Sequence, residues 1–300
     1  MDLQNLQASP LVAAAKEARR PTRWWLAALF GVLVGIIVAG GLGIGIYTTY
    51  VKAPEGSIAA QIGEIFSNGA SLVALWLWLR FKEVRPFSSL GFRGSDALRR
   101  FLTGLGIGAG LLTLSVLALR VLGNYQSVPG ASGLSGWAAL LPVVLLVLMW
   151  TVQSSTEEIL MRGYLVQTGA LQLPGLIAIL IPALIFSGLH FVTSGPKEPV
   201  AIVNIVLFAL FTSFIALRQG SLWMVCGVHA GWNWFQGNVF GVPVSGNVYT
   251  TTLFPLGPTA NASHLLSGGA FGVEGSLMVT IIWGISTLIA YRYFRSASKV

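Results

Sequence analysis

The chain has 300 residues, of which 54% are hydrophobic and only 9% charged, with a mean hydropathy of +0.75, 36 Gly and 10 Trp. That balance excludes a water-soluble domain and describes an all-α, polytopic membrane protein. The net charge of +8 comes without any basic-aromatic patch, so it reads as membrane topology and contact with anionic lipid rather than nucleic-acid binding.

A membrane helix needs roughly 20 mostly apolar residues. Measured this way the chain predicts about eight spans, at 24–49, 58–81, 101–122, 136–167, 173–193, 199–217, 221–241 and 275–294. Residues 1–23 form a basic segment expected in the cytoplasm, 24–134 an N-terminal helical region, 135–295 a core and 296–300 a tail. The first span is too long and too late for a cleaved signal peptide, so it is expected to stay. Within the N-terminal region, 82–100 is a basic loop whose Phe87, Leu90, Phe92 and Leu98 suit an amphipathic stretch at the membrane interface, or an ordinary connection. Residues 242–274 are rich in Gly, Thr and Ser, and a structureless connection of that length is unusual, so an ordered cap or re-entrant loop is expected there. With both termini in the cytoplasm, fourteen Lys and Arg fall on that side and three on the other, Arg162 being left aside as intramembrane. Cys226 is the single cysteine, which rules out an intramolecular disulfide.

The polar residues inside the apolar spans carry the chemical information. Glu157, Glu158 and Arg162 interrupt the stretch from Leu140 to Leu165, and each such charge costs about 2.5–3.5 kcal/mol at the bilayer centre, so a polar cavity or partner is expected around them. Residues four apart share a helix face. Glu158 and Arg162 therefore pair, and Glu157, about 100° around the axis, is the free carboxylate. On the next span Phe186 and His190 share a face, with Ser187 and Gly188 permitting close helix approach. On the seventh, His229 and Asn233 present two donors side by side. Glu64 is a further intramembrane acid with no chemistry evident nearby, and His264, in the long connection, has no spaced partner. At 1.5 Å per residue, Glu157 lies about 20 Å and His190 about 26 Å from the hairpin near 169–173, while His229 is about 14 Å past Gly220. A tilt or a deeper turn must absorb the difference.

In this order, Glu157-Glu158-x-x-x-Arg162, Phe186-x-x-x-His190 and His229-x-x-x-Asn233 resemble the CPBP family of intramembrane proteases, which includes the type II CAAX prenyl endopeptidases. The resemblance covers roughly 135–295, takes in the stretch from Leu266 to Gly275, and is closest to bacterial members, which suggests a bacterial plasma membrane. It implies an endopeptidase acting on a membrane-associated or lipidated peptide. Glu157 and His190 would activate water, His229 and Asn233 would hold the oxyanion, Glu158 would count with these four as catalytic, and Arg162 and Phe186 would support them.

The metal question stays open at this level. The zinc signature His-Glu-x-x-His is absent, yet Glu157, His190 and His229 are the residue types of a three-ligand Zn2+ site. Glutamate-driven hydrolysis without an ion uses the same side chains. A proton-coupled transporter or a non-catalytic immunity or scaffold protein would also retain intramembrane acids, but the chain lacks the internal repeat expected of a transporter.

Overall fold

The computed structural model describes residues 2–34, 41, 45, 49, 52–130, 133–193 and 198–296. In chain order the named elements are α1 (Pro10–Ala15), α2 (Trp24–Leu33), α3 (Ile58–Leu77), α4 (Ala97–Val121), β1 (Tyr125–Ser127), α5 (Leu140–Glu158), α6 (Gly175–Thr193), α7 (Pro199–Gln219), α8 (Trp223–Trp234), β2 (Leu256–Pro258), α9 (His264–Ser267) and α10 (Leu277–Arg295). The protein is an all-α polytopic membrane protein. Among the described residues six helices are long and apolar enough to span a bilayer: Ile58–Glu83, Ala97–Val121, Gly136–Ala170, Gly175–Val192, Pro199–Gln219 and Leu277–Arg295.

Two of the eight expected spans differ. Most of 35–51 in the first, together with Lys197 and the tail from 297 on, lies outside the described residues, leaving the ten-residue α2. The seventh is shorter than predicted: α8 and its π-helical continuation Phe235–Val239 cover 17 residues, and His229, Asn233, Gln236 and Asn238 lower its hydropathy. This helix is shielded from lipid, its residues from Val225 to Asn233 all being buried.

Small residues explain how α8 fits. Gly104 and Gly108 of α4 face the backbone oxygens of Met224 and Val228, and Gly227 and Gly231 of α8 face those of Phe101 and Leu105. Each helix thus brings a Gly-x-x-x-Gly strip to the other, and at all four positions a Cβ would collide with main chain. Close backbone approach is the usual source of helix association in lipid, where apolar burial drives little. On α5, Leu141, Leu145 and Leu148 form an exposed stripe at helical spacing, as expected of a face turned to acyl chains.

The deeper turn is the arrangement adopted. Gly163 packs against Leu222 and Leu90, so the α7–α8 turn meets the continuous helical span Gly136–Ala170 seven residues before its end, or about 10 Å inside it. Counting from that contact, Glu157 is six residues away along one helix and His229 seven along the other, which places both near the same depth.

The space beneath the turn is filled by segments read from sequence as surface. Ser9 Oγ donates to Leu217 O at 2.6 Å, Leu222 N–H to Gly91 O at 3.1 Å, and Gln167 Nε2 to both Leu11 O and Ser89 O at 2.8 Å. Of the loop expected at the interface, the part around 83–91 turns into the core, whereas Arg93, Leu98 and Arg99 are exposed. Leu90 is fully buried, and Arg85 pairs with Glu83 at 2.6 Å with both side chains almost inaccessible. Arg85 also donates to Gln167 at 2.9 Å, so the buried charge is met by an acid and an amide.

At the opposite end 242–274 forms an ordered cap. β2 pairs antiparallel with β1, Tyr125 opposite Pro258 and Ser127 opposite Leu256. Tyr125 Oη donates to Ser267 O at 2.8 Å, and Asn238 accepts from Trp150 Nε1 at 2.6 Å while donating to Thr251 O at 2.8 Å. Asn204 Nδ2 secures the far end through Glu274 O at 2.6 Å and Ser276 O at 2.9 Å.

Candidate active site

Beneath this cap lies a cavity of about 310 Å³, bordered by Glu157, His190, His229 and Asn233 among others. Three helices supply these residues, and at Glu158 the α5 helix passes into a π-helical turn over Ile159–Val166. Such turns recur at functional sites because the extra residue re-aims side chains.

Glu158 and Arg162 meet as the spacing predicts, Nη1 to Oε1 at 3.1 Å, with both side chains essentially inaccessible. The Arg162 guanidinium also sits 4.8 Å from the Phe186 ring centre and 5.6 Å from that of Phe208. A buried cation flanked by a carboxylate and two ring faces is compensated on several sides. Phe186 in turn stands edge-on to His190, with centres 4.4 Å apart, and so separates the charged pair from the imidazole.

His229 is tied to α5 rather than held beside Asn233 alone. Its Nδ1 lies 3.0 Å from Glu158 Oε1 and its Nε2 3.7 Å from Glu157 Oε2. The Glu158 carboxylate accepts from Nδ1–H, so Nε2 faces Glu157 and donates only when the ring is an imidazolium. At His190, Nδ1 is 2.9 Å from Phe186 O. A carbonyl only accepts, so Nδ1 carries the proton and Nε2 keeps its lone pair.

Gln153 organises the remainder and was not anticipated. Its Nε2 donates to Glu157 Oε1 at 2.6 Å, and its Oε1 accepts from Asn233 Nδ2 at 3.1 Å. The signal was present in the sequence, because Gln153 is four residues before Glu157 and shares its face. Glu157 Oε2 has no hydrogen-bond partner, His229 Nε2 being 3.7 Å away, and Glu157 borders the cavity.

Two more acids border the same space. Glu64 on α3 does so, where sequence reading saw no chemistry around it. Glu274, at the end of the cap, accepts at Oε2 from Ser245 N–H at 2.7 Å and from Ser245 Oγ at 3.1 Å. Burial pushes the Glu274 carboxyl up, and the Ser245 bonds and the nearby histidines only partly offset it. Nothing in its own surroundings in the sequence marks Glu274 as part of this cavity, since 116 residues separate it from Glu158. His264 lies outside the cavity lining, with Nδ1 3.7 Å from Glu198.

The suggested zinc ligands do not form a ready site. Both histidines have Nδ1 engaged, which leaves Nε2 of each as the possible ligand atom, but among the described residues no three His, Cys, Asp or Glu side chains are gathered in an arrangement that would hold a metal ion. Catalytic zinc needs three such ligands and an open position, so the chemistry below is derived from the side chains alone.

Residues 139–235 match the family model for the type II CAAX prenyl endopeptidase Rce1-like proteins. The match takes in Glu157, Glu158, Arg162, Phe186, His190, His229 and Asn233. No curated protein and no solved structure gives a significant match to the chain.

Proposed function

We propose, on the premise that the chain belongs through residues 139–235 to the Rce1-like family, that it is an intramembrane endopeptidase cleaving a membrane-associated or lipidated peptide. The supporting observation is the unpartnered Glu157 Oε2 on a cavity shared with His190, His229 and Asn233. A general base must lie within reach of its water, and donors must be aimed at the oxygen where charge develops.

Glu157 Oε2 takes a proton from water while His190 Nε2, its tautomer held by Phe186 O, accepts the second O–H and orients the nucleophile. The hydroxide adds to the scissile carbonyl carbon. The resulting oxyanion is held by the second Nδ2–H of Asn233, the first being given to Gln153, and by Nε2–H of a protonated His229 whose charge Glu158 balances. Collapse breaks the C–N bond, and the proton on Glu157 passes to the leaving amine. A carboxylic acid and an amine are released, and Glu157 is regenerated.

Both termini are assigned to the cytoplasm of a bacterial plasma membrane on the Lys and Arg asymmetry and the family resemblance. The test is cleavage of a fluorogenic prenylated peptide library by the protein reconstituted in lipid, comparing wild type with Glu157→Ala in chelator and with added zinc. Turnover that survives chelation and is lost in the variant supports this mechanism. Activity that chelator removes and zinc restores overturns the metal-free route. Equal behaviour of wild type and variant, both folded, favours a transporter or scaffold.

A further inference from the structure

The geometry points to a subsite for a positively charged group in this cavity: a lysine or arginine side chain, or a free amino terminus, next to the scissile bond and held by Glu64 and Glu274. The inference rests on the protease reading and deepens it by specifying the substrate.

Three carboxylates from separate elements, Glu64, Glu157 and Glu274, border one cavity, and no lysine or arginine lies among the residues lining it. Glu157 is accounted for as the base; the other two are not. Among the described residues the Glu64 carboxylate has no hydrogen-bond or ion-pair partner, its backbone oxygen alone accepting from Asn68 at 2.8 Å. Glu64 is half-buried and borders the cavity. Glu274 has one oxygen committed to Ser245, leaving Oε1 for another donor.

Ser245 holds that bond from a left-handed conformation, φ +49°, which a serine rarely adopts. A strained residue that aims an N–H at a buried acid belongs to a formed site rather than to a chance cluster.

A part-buried carboxylate without a partner is costly, and two acids beyond the hydrolytic base, with no lysine or arginine beside them, favour a cationic guest over an anionic one. A cationic group entering would pair with both acids and lie against the indole faces of Trp150, Trp232 and Trp283, which border the same space. A bound metal ion is the weaker candidate, because no three-ligand arrangement exists among the described residues. Cation entry also favours the ionised form of Glu274, so binding itself supplies the charge that burial opposes.

The test uses the full-length protein in lipid and pairs of prenylated octapeptides that carry lysine or norleucine at each position around the cleaved bond. Binding is followed separately through the fluorescence of the cavity tryptophans. At one position wild type is expected to cleave the lysine peptide roughly ten- to a hundredfold faster at limiting concentration, as a charge-assisted hydrogen bond allows. That ratio should fall toward one in Glu64→Gln and in Glu274→Gln. Cleavage of both peptides at equal rates by wild type, a comparison that needs no variant to fold, overturns the subsite and leaves the protease standing. Lysine-dependent quenching without any cleavage, lost in both variants, sustains the subsite while the protease reading fails. Neither cleavage nor quenching removes both.

Discussion

His229 Nδ1 lies 3.0 Å from Glu158 Oε1, joining two residues 71 positions apart. The same oxygen accepts from Arg162 Nη1 at 3.1 Å, so one carboxylate both neutralises a buried guanidinium and supports a histidine at the cavity. Glu158 is not among the residues that border the cavity, so in the proposed mechanism it acts through His229 as a positioning residue.

Replacing Glu158 with Gln keeps the shape and removes the carboxylate that His229 Nδ1 and Arg162 Nη1 share. Turnover is expected to fall about a hundredfold with KM little changed, because a histidine at the cavity loses the group that orients it while the peptide contacts remain. Steady-state kinetics check this; an unchanged kcat, or a loss confined to KM, removes the assignment.

Arg162→Ala leaves Glu158 buried beside His229 without its main cation. A loss of about 3–5 kcal/mol in stability is expected, and the double variant Arg162→Met with Glu158→Gln should recover much of it. Thermal midpoints of wild type, Arg162→Met, Glu158→Gln and the double variant in one detergent measure the coupling.

Gln153→Ala frees both Glu157 Oε1 and Asn233 Nδ2. The expected result is a fall of about ten- to a hundredfold in kcat, with a much smaller change in KM, because base and oxyanion donor lose their alignment rather than their chemistry. Stopped-time cleavage assays at saturating peptide separate the two effects.

Gly108→Ala drives a methyl group into the backbone of α8, whereas the same change at Gly106, on the same helix, meets open space. The first should destabilise by about 1–3 kcal/mol or more, and the second should stay within about 0.5 kcal/mol. Equal thermal midpoints for the two variants would contradict the packing described for α4 and α8.

Glu274 carries a carboxyl pushed up by burial in the absence of ligand. The unfolded chain releases this proton near the ordinary carboxylate pKa while the folded chain retains it to higher pH, so folding is opposed increasingly above that value. Glu274→Gln should therefore raise the thermal midpoint at pH 8 and leave it nearly unaltered at pH 4. Thermal melts of the ligand-free protein at the two pH values check the sign.

Much of this protein was legible in the order of its residues, because local rules govern it. Apolar runs near 20 residues mark spans, which is why six of eight appear as full-length helices. The four-residue spacing placed Glu158 against Arg162 and Phe186 against His190, since neighbours on one helix face meet in any tertiary context. The same rule applied to Gln153 would have found its bond to Glu157. Arg85, one of the basic residues counted on the cytoplasmic side, is buried because an acid two residues away and an amide 82 residues away make its burial tolerable.

Tertiary structure decided the rest. The depth of the α7–α8 turn depends on residues 6–12 and 87–91 packing beneath it, so the common level of Glu157 and His229 cannot be computed from helix lengths. Periodicity within α3 and within the cap says nothing about Glu64 and Glu274 bordering the cavity of Glu157, because such proximity arises from how separate helices pack. Sequence alone determined that this is a membrane bundle and which polar side chains interrupt its apolar spans. Only the packing of backbone against glycine, and of cap against bundle, determined which atoms of those side chains are committed and which remain free to react.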